Sequence, residues 1–153
     1  MIRAASYTEV MSETPITQAP PRLTRHRQAV LQTVRAGPTH PTAAEVYDAV
    51  RAYDPGIAFA TVYNSLHYLV SAGLIAEVRR PDGVVSYDRE TRPHDHVICR
   101  RCGTIGDVHR SPALSLGADA YSEVVAQTNF TVERHQVEFV GLCPACRRTA
   151  SGD

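Results

Sequence analysis

Residues 60–88 read ATVYNSLHYLVSAGLIAEVRRPDGVVSYD, and this stretch decides the fold of the first half of the chain. Its first part places Val62, Leu66 and Leu69 at helical spacing, so that one face is apolar. Gly73 follows where a helix would end, because glycine readily adopts the left-handed conformation of a C-terminal cap. We therefore predict a helix over residues 60–72.

The second part of the stretch changes from helical to alternating periodicity. Apolar and polar residues alternate over 75–80 and again over 84–88, on either side of Pro81-Asp-Gly83. Such a turn sequence between two alternating runs is typical of a β-hairpin.

Two further helices are predicted ahead of this stretch. Thr24 is a suitable N-cap for a helix that reaches Ala36, where Gly37-Pro38 stops it. A second helix opens at Pro41-Thr42 and ends before Asp54-Pro55. Three helices and a hairpin predict a winged helix-turn-helix domain.

In such a domain the third helix enters the major groove of DNA, so short polar groups and a planar aromatic are expected on its outward face. Thr61, Tyr63 and Asn64 fit this pattern. Asn64 is suited to an adenine edge, Thr61 or Tyr63 to a phosphate or a thymine methyl, and Arg79 or Arg80 of the wing to the DNA backbone. A solvent-facing helix without a role in DNA binding is the alternative.

Charge is distributed unevenly along the chain. The formal net charge is zero, and all 16 basic residues are arginine, which excludes chemistry that needs a lysine Schiff base or a P-loop lysine. Residues 22–35 contain four arginines, among them Arg27, and no acidic residue. These arginines could bind phosphates, although a solvated helix face is the alternative. No apolar run approaches the roughly 18 residues that span a membrane, and with no secretory signal apparent we expect a cytoplasmic protein.

The four cysteines form two matched pairs, Cys99-Arg-Arg-Cys102 and Cys143-Pro-Ala-Cys146. Two such pairs are typical of one closed, tetrahedral zinc site. Two disulfides are the alternative, but we expect an intracellular compartment that keeps thiols reduced. A thioredoxin-type redox site is less favoured because that chemistry uses a single pair.

The second half of the chain predicts a small α/β domain. Strands are expected at 96–99, 104–109 and 131–140, with a helix over 114–128 between the last two. A sheet of this size buries little surface alone, so it needs the zinc and a second copy of the chain. The fold class is therefore α+β, with a winged-helix domain and a dimerisation domain that carries the four-cysteine site. The predicted divisions are a flexible arm (1–21), the winged helix (22–90), a hinge (91–93), the dimerisation and metal-binding domain (94–148) and a flexible tail (149–153).

A second cluster of metal-ligating residues lies around the hinge. His94 and His96 point to the same side of an extended segment, so their imidazoles can converge on one ion. His40, Asp88 and Asp107 lie at the ends of predicted elements and are further candidates. Mixed nitrogen and carboxylate ligands suit iron(II), manganese(II) or zinc. Taken singly, any of these histidines is more simply explained as structural.

Over residues 22–147 the chain resembles the ferric uptake regulator family of dimeric, metal-responsive repressors. The motifs that carry the resemblance are RLTRHR (22–27), HPTA (40–43), ATVYN (60–64), HDH (94–96) ahead of CRRCG (99–103), and GLC (141–143) with the second cysteine pair. The resemblance implies a structural Zn²⁺ and a regulatory Fe²⁺ or Mn²⁺ that closes a homodimer onto a palindromic double-stranded DNA operator. For the regulatory metal it implies His40, Asp88, His94, His96 and Asp107. The candidates for DNA contacts stay those given by the winged-helix topology and the basic run, namely Arg27, Thr61, Tyr63 and Asn64.

Two aspartates indicate the branch of this family. The positions matching Asp88 and Asp107 are typically glutamate in iron-uptake sensors and aspartate in peroxide sensors. The resemblance therefore implies a peroxide-responsive repressor in which peroxide oxidises His40 or His94 when iron is bound. An iron- or manganese-uptake regulator is the alternative within the family.

Two positions depart from the family's pattern. Pro93 stands where a histidine is often found, and Leu114 stands where a further acidic ligand is expected. These departures argue against a third metal site that would use Asp95 and His135.

Two other classes of protein compete with a repressor. A non-haem metalloenzyme would need an open coordination position, a general base and a substrate pocket. Asp95 and Glu90 are available as bases, but nothing assembles a substrate site, so we expect no enzyme. A zinc-ribbon interaction module that does not bind DNA is the third possibility.

Overall fold

The computed structural model describes residues 23–109, 114–133 and 135–150, the last residue by its backbone alone. The described residues fall into two compact units, one comprising 23–109 with 136–150 and the other 114–133 with His135. The predicted arm and residues 151–153 of the predicted tail lie outside the described residues. In chain order the elements are α1 (Arg25–Ala36), α2 (Ala43–Arg51), α3 (Phe59–Ser71), β1 (Ala76–Arg79), β2 (Val85–Asp88), β3 (Asp95–Cys99), β4 (Ile105–Val108), α4 (Ala118–Thr128), β5 (Glu138–Gly141) and α5 (Pro144–Ala150).

The winged helix-turn-helix is confirmed, with each element within a residue or two of its predicted bounds. Its core is built from the apolar faces of the three helices, the hairpin adding Tyr87. Burying such side chains contributes roughly 1.5–3 kcal/mol each. The fully buried residues at its centre are Val30, Val34, Val46, Val50, Val62, Leu66 and Leu69.

The first two helices begin at side-chain caps. Thr24 accepts a hydrogen bond from the backbone N–H of Arg27 at 3.4 Å. Thr42 and Glu45 form a reciprocal capping box, in which the Glu45 carboxylate accepts the Thr42 N–H at 2.7 Å and Thr42 Oγ1 accepts the Glu45 N–H at 3.3 Å. Caps of this kind contribute about 1 kcal/mol each, and the second one fixes the residue after His40-Pro41.

Strands β1 and β2 form the antiparallel wing, with Ala76 opposite Asp88. Gly83 has a φ of +82°, which explains why glycine ends the Pro-Asp-Gly turn. Because the register places Asp88 at the last position of β2, its carboxylate lies where the wing leads into the second sheet.

The second sheet has the strand order β4-β3-β5, with β4 antiparallel and β5 parallel to β3. The register sets His96 directly opposite Asp107. Val78 of the wing is buried together with Ile98 and Ile105 of this sheet, so the hairpin packs against it. Among the described residues no helix has the length and apolarity needed to cross a membrane.

Three details of the second half differ from the sequence predictions. The strand predicted over 131–140 is limited to Glu138–Gly141, because β3 offers pairing only along its own five residues. The helix predicted from residue 114 begins at Ala118, since Gly117 takes the extended N-cap conformation with ψ 166°. Helix α5 was not predicted: Pro144 suits a first helical position, and residues 149–150 of the predicted tail are its last two.

Candidate metal centres and nucleic-acid interface

The four cysteine sulfurs come together at one point. Cys99 ends β3, Cys102 lies in the turn that follows, and the second pair lies at the start of α5. All four thiols are free, and their Sγ atoms lie within 4.8 Å of one another, with 3.7 Å between those of Cys102 and Cys143. Zinc–sulfur bonds of about 2.3 Å at tetrahedral angles separate two sulfurs by about 3.8 Å. The observed spacing therefore fits zinc, and no disulfide is formed.

Backbone amides in the two cysteine loops point at the sulfurs. The N–H groups of Cys143 and Cys102 lower the pKa of the Cys99 thiol to about 6, and Cys146 N–H donates to Cys143 Sγ at 3.4 Å. A thiol hydrogen bond with Cys102 raises the pKa of Cys146 to about 12. Four sulfurs this close cannot all ionise without a cation between them, so the donor set suits a divalent metal.

Three histidines and two aspartates form a second cluster, in which one ligand atom from each residue lies within 4.8 Å of all the others. The five come from the α1–α2 connection, the end of β2, the residue just before β3, β3 itself and β4. Nε2–Oδ distances are 3.0 Å for His40–Asp107 and His94–Asp88, 3.3 Å for His96–Asp88, 3.4 Å for His94–Asp107, 3.6 Å for His40–Asp88 and 3.8 Å for His96–Asp107.

The backbone around His40 explains how a residue between two helices reaches the wing. Pro41 O accepts a hydrogen bond from Tyr87 N–H at 2.8 Å, and Thr42 forms a bridge with Ser86. These bonds place His40 beside the end of β2. His40 itself has a φ of +58°, a strained conformation for a residue with a side chain. Strain held in place by surrounding structure is common at functional sites.

Outer hydrogen bonds orient two of the five side chains. His94 Nδ1 lies 2.8 Å from the Arg92 carbonyl, which can only accept, so Nδ1 carries the proton and Nε2 presents a lone pair. Asp88 Oδ1 accepts the Glu90 N–H at 2.8 Å, which leaves Oδ2 facing the histidines. Any residue supplies a carbonyl or an amide, so the sequence contains no signal for the parts played by Arg92 and Glu90.

The charges within the cluster depend on one another. Burial alone would raise the pKa of Asp88, but the nearby His40 and His96 imidazoles and the hydrogen bond from the Glu90 N–H outweigh it and hold that pKa well below its usual range. Burial would lower the pKa of His94, but its bond to the Arg92 carbonyl and the charges of Asp88 and Asp107 raise it. Without a cation, the two carboxylates therefore favour the protonated form of His94, and a bound metal would compete with that proton.

The arrangement fits a metal better than a set of hydrogen bonds. The Nε2 atoms of His40 and His94 lie 3.0 Å from carboxylate oxygens, yet they are buried with no hydrogen-bond partner among the described residues. Lone pairs aimed at a common point are what a cation requires. Three imidazoles and two carboxylates suit iron(II), manganese(II) or zinc, and Asp107, with 28% of its side chain exposed, is the most open of the five.

Asp95 and His135 belong to neither cluster, and the described residues contain no other group of this kind. Asp95 Oδ1 accepts the Val137 N–H at 3.3 Å, and the His135 ring is hydrogen bonded to the Tyr121 hydroxyl. Each thus has a hydrogen bond within its own part of the fold.

The outward face of α3 borders a shallow surface cleft at the start of α1. Thr61 and Asn64 line this cleft together with Arg27, whose guanidinium carbon lies 3.5 Å from the centre of the Tyr68 ring. That stacking holds the guanidinium in place. Tyr63 does not line the cleft but is 54% exposed on the same helix.

The cleft also includes residues that the sequence did not single out as DNA contacts, namely Thr24, His26 and Ser65. His26 lies within the run at residues 22–35 that contains no acidic residue, and this run was the sequence feature that could have identified it as a DNA contact. Tyr68 is a half-buried residue of α3, and nothing in its spacing pointed to a platform for Arg27.

A winged helix joined to a small sheet domain, with a closed cysteine cluster and a histidine–aspartate cluster between them, defines a metal-dependent transcriptional regulator. The model of the ferric uptake regulator family matches residues 18–140. The chain belongs to the ferric uptake regulator family, and it is therefore a regulator and not an enzyme.

Relatives and solved structures agree with this assignment. The peroxide-responsive repressor PerR of Staphylococcus saprophyticus is 39% identical over 126 residues, which cover 82% of each chain. That of Staphylococcus aureus is 37% identical over 134 residues, or 86% of each. The peroxide stress regulator of Campylobacter jejuni is 27% identical with a TM-score of 0.63, covering 79% of this chain and 88% of that one. The ferric uptake regulator of Helicobacter pylori, 22% identical with a TM-score of 0.67 and 82% of each chain covered, shares the fold.

Proposed function

We propose that the chain is a peroxide-responsive, metal-dependent repressor, which uses the histidine–aspartate cluster to couple a regulatory ion to DNA binding. The observation that carries this proposal is the cluster's composition. His40 and Asp88 come from the winged helix, whereas His94, His96 and Asp107 come from the connection into the second sheet and the sheet itself. One ion bound by all five would fix the wing and the second sheet in one arrangement.

Such coupling needs little free energy. A tenfold change in DNA affinity corresponds to about 1.4 kcal/mol. An ion that gains two or three ligands only in the arrangement suited to DNA supplies at least this much differential binding. In this proposal iron(II) or manganese(II) is the regulatory ion and zinc is held by the four cysteines.

The operator is proposed to be palindromic double-stranded DNA, read by a homodimer in the cytoplasm. Regulators of this family bind DNA and are dimeric. A two-fold symmetric dimer presents two copies of α3 to adjacent major grooves, so the symmetry of the site mirrors that of the protein.

The peroxide response is proposed on two grounds. Aspartates rather than glutamates stand at positions 88 and 107, and the Staphylococcus relatives are peroxide-responsive repressors. Iron(II), when bound, would activate peroxide, so that one peroxide oxygen is added to an imidazole ligand and the other leaves as water. His40 and His94 would present their Nε2 atoms to such an ion and are the side chains that would be oxidised, which would leave them poor ligands.

The base-reading role of α3 is tested with Asn64→Ala. Manganese-loaded wild-type protein should shift an operator fragment in a gel, and the metal-free protein should not. Asn64→Ala should weaken specific binding by about 1–3 kcal/mol, since a bidentate contact to a base edge is lost, with metal content unchanged. Normal operator binding by this variant would show that α3 does not contact the bases as proposed.

Arg27→Ala tests the other side of the cleft. As a phosphate contact, Arg27 should matter equally for all DNA sequences, so its loss should weaken specific and nonspecific binding alike. The slope of log affinity against log salt should fall by about 1. Arg25→Ala is the control, because Arg25 lies only two residues away in the same helix and pairs with Asp54 at 3.1 Å. A sequence-selective loss with Arg27→Ala would mean that it contacts a base instead.

A further inference from the structure

The wing carries two adjacent arginines in different surroundings. The side chain of Arg79 is 78% exposed, and its closest carboxylate oxygen, on Glu77, is 3.9 Å away. The side chain of Arg80 is only 18% exposed and pairs with Asp82 at 2.5 Å. Either arginine was a candidate for the DNA backbone on sequence grounds, but only Arg79 faces solvent.

Arg80 lies against Gly103, the residue that follows Cys102 in the cysteine loop. A Cβ atom at Gly103 would overlap the guanidinium group of Arg80. Gly103 also has a φ of +72°, which favours glycine. The Nε of Arg80 is buried and has no hydrogen-bond partner in the described part of the chain, so the contact is one of packing between a planar group and a bare peptide.

A second contact joins the same two elements. Val78, in strand β1 of the wing, is buried with Ile98 and Ile105 of the second sheet. The wing therefore contacts the second sheet at two places, the apolar cluster around Val78 and the packing of Arg80 on Gly103. Of these two attachments, only the one through Arg80 reaches the loop that carries the cysteine cluster.

We infer that Arg80 is a positioning residue for DNA binding, which acts through Gly103 to hold the wing against the cysteine loop, and that it is not a phosphate contact. Because Tyr87 and Ser86 anchor β2 to the helical part of the domain, the freedom that remains belongs to the tip of the wing, beside Arg79. Packing of Arg80 on Gly103 removes that freedom in the free protein, before it binds DNA. This inference rests on the proposed function, because it assigns a role in binding DNA.

The test compares Arg80→Ala, Arg80→Lys and Arg79→Ala in manganese-loaded protein, with affinity for an operator fragment measured by fluorescence anisotropy over a salt series. Arg80→Ala should weaken binding roughly three- to tenfold with the salt slope of the wild type. Arg80→Lys should not restore binding, because an ammonium group cannot pack flat on a peptide. Arg79→Ala removes the same charge one residue away and shows the effect of charge alone.

Gly103→Ala provides the reciprocal variant. Its added methyl should displace Arg80 and weaken DNA binding, and the double variant with Arg80→Ala should bind no worse than Arg80→Ala. Zinc content and melting temperature identify any damage to the cysteine loop. If the losses of DNA affinity of the two single variants added up in the double variant, Arg80 and Gly103 would not act through one contact.

Hydrogen exchange separates this inference from the proposed function, since it needs no DNA. Amides of residues 79–84 should exchange faster in Arg80→Ala than in Arg79→Ala. Should wild-type protein fail to bind DNA while the exchange difference appears, the proposed function fails and Arg80 still positions the wing. Unchanged exchange, or a salt slope reduced by about 1 in Arg80→Ala with binding restored by Arg80→Lys, would assign Arg80 to the phosphate backbone and overturn the inference.

Discussion

Cys99→Ser should lose the bound zinc and unfold the second sheet, giving a protein that no longer dimerises. The sheet has only three short strands, and its buried apolar residues in the described part of the chain are few. Structural zinc sites contribute on the order of 10 kcal/mol to folding, which exceeds what so small a core supplies. Metal analysis, far-ultraviolet circular dichroism and size-exclusion chromatography together measure this outcome.

Arg100→Ser is the matched control. It changes an exposed residue inside the same Cys99–Cys102 loop and leaves all four sulfurs in place. We expect this variant to keep its zinc and its melting temperature. A zinc-free Cys99→Ser dimer that melts like the wild type would refute a structural role for the metal.

Most of the winged helix was predictable because its signals are local. Caps at Thr24 and Thr42, a glycine after α3 and a Pro-Asp-Gly turn act on neighbouring residues, and the structure has each element near its predicted place. Strand β5 was overestimated because the end of a strand depends on where its partner β3 ends. No local pattern contains that information.

The metal clusters illustrate the same difference. The cysteine site was predictable from residue type and spacing, because two matched pairs are typical of one metal site whatever the fold of the chain between them. The fit of His40 depended on a hydrogen bond between Pro41 and Tyr87, which are far apart in sequence. The packing of Arg80 on Gly103 had no sequence signal at all, because an arginine in a wing is as easily assigned to DNA.

Iron-loaded protein should gain one oxygen atom on a peptide containing His40 or His94 after brief exposure to peroxide, and it should then release DNA. Manganese-loaded protein should keep unmodified histidines and remain bound, because manganese(II) does not readily reduce peroxide. Both Nε2 atoms face the cluster without a hydrogen-bond partner among the described residues, whereas His96 Nε2 lies 3.3 Å from Asp88 Oδ2 in hydrogen-bonding geometry. Loss of either imidazole as a ligand removes a connection between the wing and the second sheet.

His109 is an internal control for this experiment. Its ring centre lies 6.3 Å from that of His94, yet it belongs to neither cluster. Oxidation governed by ligation should spare His109, whereas an oxidant diffusing from the site would modify it as well. Peptide mass spectrometry distinguishes the two patterns, and a gel shift on the same samples reports DNA release. Unmodified His40 and His94 with intact DNA binding in the iron form would contradict peroxide sensing and favour an iron- or manganese-uptake regulator of the same family, because metal-dependent binding would remain while the chemistry at the ligands would not.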